Sequence, residues 1–110
     1  MRMCLSSSLL KALAVAAAVL ATGSVAAQDS AALRQTALAA TCANCHGTQG
    51  RAVDGAAVPG LAGMPAGYLI EQLKSFKAGT RPATVMHQLA KGYSDAQIDQ
   101  IAAYFAAQKK

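Results

Sequence analysis

Cys42, Cys45 and His46 hold the chemistry of this chain, in the segment Cys42-Ala43-Asn44-Cys45-His46. On a helix these positions fall at i, i+3 and i+4, which is one face. Two thiols so placed can add to the two vinyl groups of a haem while the imidazole meets the iron from the same side, the chemistry that a Cys-x-x-Cys-His run implies. Rival uses of the run meet obstacles. A structural zinc site needs four protein ligands, and beyond the run only His87 remains to help. A thioredoxin-like pair needs a strand-then-helix setting, which is missing. A disulfide between residues three apart closes a tiny loop and leaves the rest of the chain unstapled.

A haem iron held by His46 takes its sixth ligand from downstream, where Met64, Met86, His87 and Lys91 are the candidates. Met86 lies beyond the second expected helix, where the chain can return to the opposite haem face, and it is the expected ligand. Met64 is read as core filler, the commoner fate of a methionine. His87 is read as a solvated or haem-edge residue. Met/His ligation raises the reduction potential and leaves no open iron position, which favours electron transfer. A haem enzyme or gas sensor would need a vacant or displaceable sixth site.

Several elements must position these residues. Ser30 can cap a first helix that runs into the cysteine run, with Leu33, Ala37 and Ala40 on one face. The glycine-rich segment 47–63, with Pro59 inside it, reads as a loop wrapped around something. Pro65 suits the first turn of a second helix. Tyr68, Leu69, Gln72, Leu73 and Phe76 form its apolar stripe, and Gly79 stops it. A short helical piece spans 85–91 and ends at Gly92. Ser94-Asp95-Ala96-Gln97 is a capping box that opens a last helix burying Ile98, Ile101, Ala102 and Phe105. No segment alternates with period two, so the expected class is all-α, with three main helices and a glycine-rich loop around one haem.

The beginning of the chain has a different character. Arg2 and Lys11, the apolar run 12–20 and the small residues Val25-Ala26-Ala27 before Gln28-Asp29 describe a secretory signal. The expectation is residues 1–27 as signal peptide and 28–110 as the working domain, exported to the periplasm and not inserted in the membrane after cleavage. Cys4 precedes the apolar run, which argues against a lipoprotein. Residues 28–110 carry eight Lys or Arg against five acids, net +3. No dense basic run is present, so a nucleic-acid partner is not expected. Lys74 and Lys77 share a helix face, with Arg81 and Lys91 close by in sequence. These charges are either a solvated face or a patch that steers an acidic partner. A core of this size rarely suffices without a staple, a part that a covalent haem would fill.

With these residues in place, the chain resembles the class I cytochromes c of bacteria. The pattern runs from Cys42-x-x-Cys45-His46-Gly47 through Pro59-Gly60-Leu61, Tyr68, Gln72-Leu73-x-x-Phe76-x-x-Gly79 and Met86. It continues through Ser94-Asp95-x-x-Ile98 to Ala102-x-Tyr104-Phe105. The resemblance implies one covalent haem c, Met86 as axial ligand opposite His46, and a hydrogen bond from His46 to the Pro59 carbonyl. It also implies that the first and last helices cross, with Phe105 against the small residues near Ala39 and Ala40. The stretch Thr84 to Ser94, followed by Ala103-Tyr104-Phe105, is similar to the ligand loop of the cytochrome subunit of flavocytochrome c sulfide dehydrogenase. That similarity implies a flavoprotein partner that oxidises sulfide. The other expectation is a free shuttle to a terminal oxidase or another redox enzyme.

Overall fold

The computed structural model describes residues 29–110. The expected signal segment 1–27 and its cleavage point lie outside these residues. The chain divides between Leu33 and Arg34, and the unit Arg34–Lys110 carries the core and the candidate site. Among the described residues four α-helices follow one another: α1 over residues 29–46, α2 over Ala66–Ala78, α3 over Met86–Lys91 and α4 over Asp95–Ala106. A 3-10 turn at Thr48–Gly50 follows α1, and the described residues contain no strand. No described helix is long and apolar enough to cross a membrane.

α1 departs from expectation in two ways. Residues 29 and 30 are already helical, so Ser30 does not cap the helix. Alanines on its C-terminal side carry the helical preference through it. The inward face is Gln35, Leu38, Ala39, Cys42 and His46, whereas Ala37 and Ala40 are exposed and Leu33 is 70% exposed. In a helix so rich in alanine, apolar residues occur on every side and their spacing selects no face. Stepping back from His46 and Cys42 by three and four residues does select it.

The core is built from small and large residues in complement. Ala39 of α1 joins Leu69 of α2 and Ile101, Ala102 and Phe105 of α4 in one cluster. Ala39 thus does what was expected near that position, and Ala40 does not. Ile98, Ile101, Ala102 and Phe105 are all buried, as the α4 spacing requires. Ser94 accepts a hydrogen bond from the Gln97 amide, and the Gln97 side chain accepts one from the Ser94 amide, which closes the capping box.

α2 packs on both α3 and α4. It starts after Pro65 and ends at Gly79, which is left-handed and donates its amide to the last turn. Of its expected stripe, Leu69 is buried, and Gln72, Leu73 and Phe76 are half-buried. Tyr68 is instead 47% exposed, and Ile70 packs on the core. α3 begins at Met86, with Val85 before it and Gly92 after it. Ala90 anchors α3, with none of its surface exposed.

Candidate haem-attachment site

The last turn of α1 presents Cys42, Cys45 and His46, and the helix stops at Gly47. Gly47 has φ 82°, and a Cβ there would lie 2.0 Å from the Arg51 carbonyl oxygen, so only glycine fits. The chain then closes a loop on a single acceptor. The Gly50 carbonyl receives the amides of Leu61 at 2.7 Å and Ala62 at 3.1 Å. Gly50 has φ 77°, and a Cβ on it would strike the Phe105 ring at 2.7 Å. The loop is also fastened to the far end of α4. Gly63 donates its amide to Phe105 O at 2.9 Å, and Arg51 Nε donates to Lys109 O at 2.9 Å.

This pinch brings Pro59 over His46. The imidazole is only 8% exposed, and its Nδ1 lies 2.7 Å from the Pro59 carbonyl oxygen. A carbonyl can only accept, so Nδ1 carries the proton and donates it. Nε2 is then the nitrogen with a free lone pair, and a bond of this kind fixes ring orientation and raises ligand basicity.

Cys42 and Cys45 are both free thiols, the first half-buried and the second exposed. Burial pushes the Cys42 thiol up, and the neighbouring Cys45 adds to the rise. Cys42 is therefore a protonated thiol at neutral pH in the unattached chain. Among the described residues, no group of three or more His, Cys, Asp or Glu side chains gathers to hold a bare metal ion. His87 therefore does not complete a zinc set with the cysteine run.

The two candidate methionines occupy different settings. Met64 packs against the core cluster and lines a concavity of about 300 Å³ with Gly50, Ala62 and Lys110. Met86 is the first residue of α3 and is half-buried. His87, beside it, is not solvated through Nδ1, which is shielded from water and has no protein partner. Lys91 is exposed. A directed imidazole lone pair, two unpaired thiols on the same helix end and an unsatisfied buried nitrogen beside Met86 all fit a covalently attached haem. The structure thus gathers Cys42, Cys45, His46 and Pro59 at one place and carries Met86 on a separate element packed on α2.

The lysines that share a face of α2 are partly neutralised. Lys77 Nζ pairs with Asp95 at 2.8 Å, and Lys74 Nζ lies 3.9 Å from the same carboxylate. The Lys77 hydrogen bond and charge hold the Asp95 carboxyl below its ordinary range. Arg81 lies over the Phe76 ring, 4.5 Å from its centroid, and hydrogen-bonds Gln72. Sequence reasoning also missed Thr41 and Tyr93, whose hydroxyl oxygens are 2.6 Å apart across 52 residues. No local pattern marks such a pair.

The family model for cytochrome c matches residues 31–109. The thiosulfate dehydrogenase electron acceptor of Thiomonas intermedia is 42% identical over 71 residues, covering 64% of this chain and 33% of that protein. The cytochrome subunit of sulfide dehydrogenase from Chlorobaculum tepidum is 41% identical over 68 residues, covering 62% of this chain and 60% of that one. A solved cytochrome c4 of Acidithiobacillus ferrooxidans superposes with TM-score 0.56 at 42% identity, over 60% of this chain and 37% of that one. Its class I fold agrees with the helical architecture expected from the sequence. The chain spans about a third of the length of several curated relatives that it matches.

Proposed function

Since the chain belongs to the cytochrome c family, an electron-transfer family with covalent c-type haem, we propose that it carries single electrons on one haem c in the periplasm. Cys42 and Cys45 would hold the porphyrin through thioethers, and His46 and Met86 would bind the iron. Bound there, the haem supplies a reversible one-electron couple. The chain's own residues decide how that couple is set. His46 offers Nε2 because Pro59 holds the Nδ1 proton, and the buried ring does not rotate away. Met86 offers a soft thioether, which raises the potential relative to a second nitrogen ligand. The observation that supports this reading most is the 2.7 Å bond between His46 Nδ1 and the Pro59 carbonyl. It prepares the imidazole as a ligand at the end of the helix that bears both thiols.

The donor we propose is a flavoprotein dehydrogenase subunit that oxidises sulfide. Two relatives support a sulfur-oxidising donor by name, one a cytochrome subunit of sulfide dehydrogenase and the other an electron acceptor of thiosulfate dehydrogenase. A free shuttle serving a terminal oxidase or another redox enzyme is the second reading. It is supported by the likeness to a cytochrome c4, whose name carries no dehydrogenase.

Two experiments test these statements. The oxidised wild-type protein should show the weak far-red charge-transfer band of a Met/His haem. Met86→Ala should abolish it, lower the potential and admit carbon monoxide, while Met64→Ala leaves all three unchanged. The reverse result overturns the ligand assignment. Purification from the native host should yield a flavin-containing complex, whereas an unaccompanied cytochrome points to the shuttle.

A further inference from the structure

The C-terminal end of α3 is tied to α1 through one pair of hydroxyls. Thr41 Oγ1 lies 2.7 Å from the Leu38 carbonyl oxygen and 2.6 Å from Tyr93 Oη. Thr41 has a single hydroxyl proton, and the carbonyl can only accept, so that proton goes to Leu38. Tyr93 must then donate to Thr41. Cys42 Sγ lies 3.8 Å from the same threonine oxygen.

The placement of this bond gives it leverage. Thr41 directly precedes Cys42, so the tyrosine grips the helix that bears the haem attachment. The amides of Gly92 and Tyr93 donate to Leu89 O and Ala90 O, which couples Tyr93 to the last turn of α3. The start of the same segment is held separately, by Thr80 Oγ1 on Ser75 O at 3.2 Å and by Arg81 over Phe76. Residues 80–93 are therefore fastened to α2 at one end and to α1 at the other, with Met86 between.

We propose that Tyr93 is a positioning residue, whose hydroxyl holds α3 against α1 and sets how firmly Met86 stays on the iron. The inference rests on Met86 being the ligand. It separates the tyrosine hydroxyl from the tyrosine ring, because the half-buried ring also packs on the core cluster. Tyr93→Phe keeps the ring and removes the donor. Thr41→Val removes the acceptor with little change in volume, and with it the bond to the Leu38 carbonyl, so Tyr93→Phe is the cleaner of the two.

The test uses the haem-loaded protein with Y93F, T41V and the double variant. Hydrogen exchange at the α3 amides reads the clamp, and the far-red band against denaturant reads the ligand. Far-UV circular dichroism on the same samples reads global unfolding. Each single variant should speed α3 exchange by about three- to tenfold, the worth of one hydrogen bond. The band should disappear further ahead of helix unfolding than in wild type. The double variant should be no worse than the weaker single, since both remove the same bond. Wild-type exchange in Y93F, or effects that add in the double variant, overturns the clamp. Faster exchange with an unchanged gap between band loss and unfolding overturns its action on the ligand. A band that survives Met86→Ala in an otherwise wild-type protein is a different failure, that of the ligand assignment, and it removes the positioning role with it.

Discussion

The His46 side and the Met86 side of the proposed haem site are held by different means. His46 stands at the end of a long helix and is fixed by backbone. Gly47 makes the turn, the Gly50 carbonyl pinches the loop, and the Pro59 carbonyl takes the imidazole proton. Met86 starts a six-residue helix between two connectors. The start of that segment gives the Thr80 and Arg81 amides to the Ser75 carbonyl, but around Met86 itself the described ties are buried Ala90 and two side-chain ones, Arg81 on Phe76 and Tyr93 on Thr41. Backbone bonds inside a closed loop break together, whereas single side-chain ties break one at a time. The first side should therefore yield only with the whole domain, and the second should loosen while the rest stays folded.

The harshest test removes both sides at once. Replacing Cys42 and Cys45 by Ala should leave no haem on a denaturing gel and an unstable chain, because the cofactor staples a small core. A protease-resistant double variant would count against that dependence.

Phe105 touches the His46 side through Gly50, and its carbonyl receives the Gly63 amide. Phe105→Ala should cost about 3–5 kcal/mol, the range for a buried aromatic truncation. Chemical denaturation should show one transition in which haem absorbance and helix signal fall together. Two separated transitions would break the comparison.

Arg81→Ala tests the other side more gently. Loss of an exposed cation–π contact should cost about 0.5–1 kcal/mol. The far-red band should weaken at lower denaturant while the helix signal hardly moves. A variant that loses both signals together would show the two sides to be one unit.

The smallest effect belongs to Asp95, held below its ordinary range by Lys77 first and Lys74 last. A carboxyl with a depressed folded-state pKa stabilises above its unfolded pKa, and that contribution disappears as pH falls through the folded value. Asp95→Asn should thus melt slightly below wild type at neutral pH and converge with it in acid. The carboxylate is largely exposed, so salt should shrink the difference as well.

Local rules made much of this protein legible. The three reactive residues share a helix end because their spacing matches a helical turn, whatever surrounds them. The Ser94 box, the Gly79 stop and the buried side of α4 likewise follow from residues within one or two turns of each other. Pro59 was reached through family resemblance, since it lies thirteen positions along the chain from His46, across a mostly irregular loop. Alanine hid the inward face of α1, because a residue spread evenly round a helix gives its spacing no direction. The links that only the folded chain reveals join distant positions: Gly50 to Leu61 and Ala62, Lys77 to Asp95, and Thr41 to Tyr93. Each depends on how a loop closes or how two helices meet. Periodicity reports which way a side chain faces along its own element, and the partner it finds there is fixed by packing.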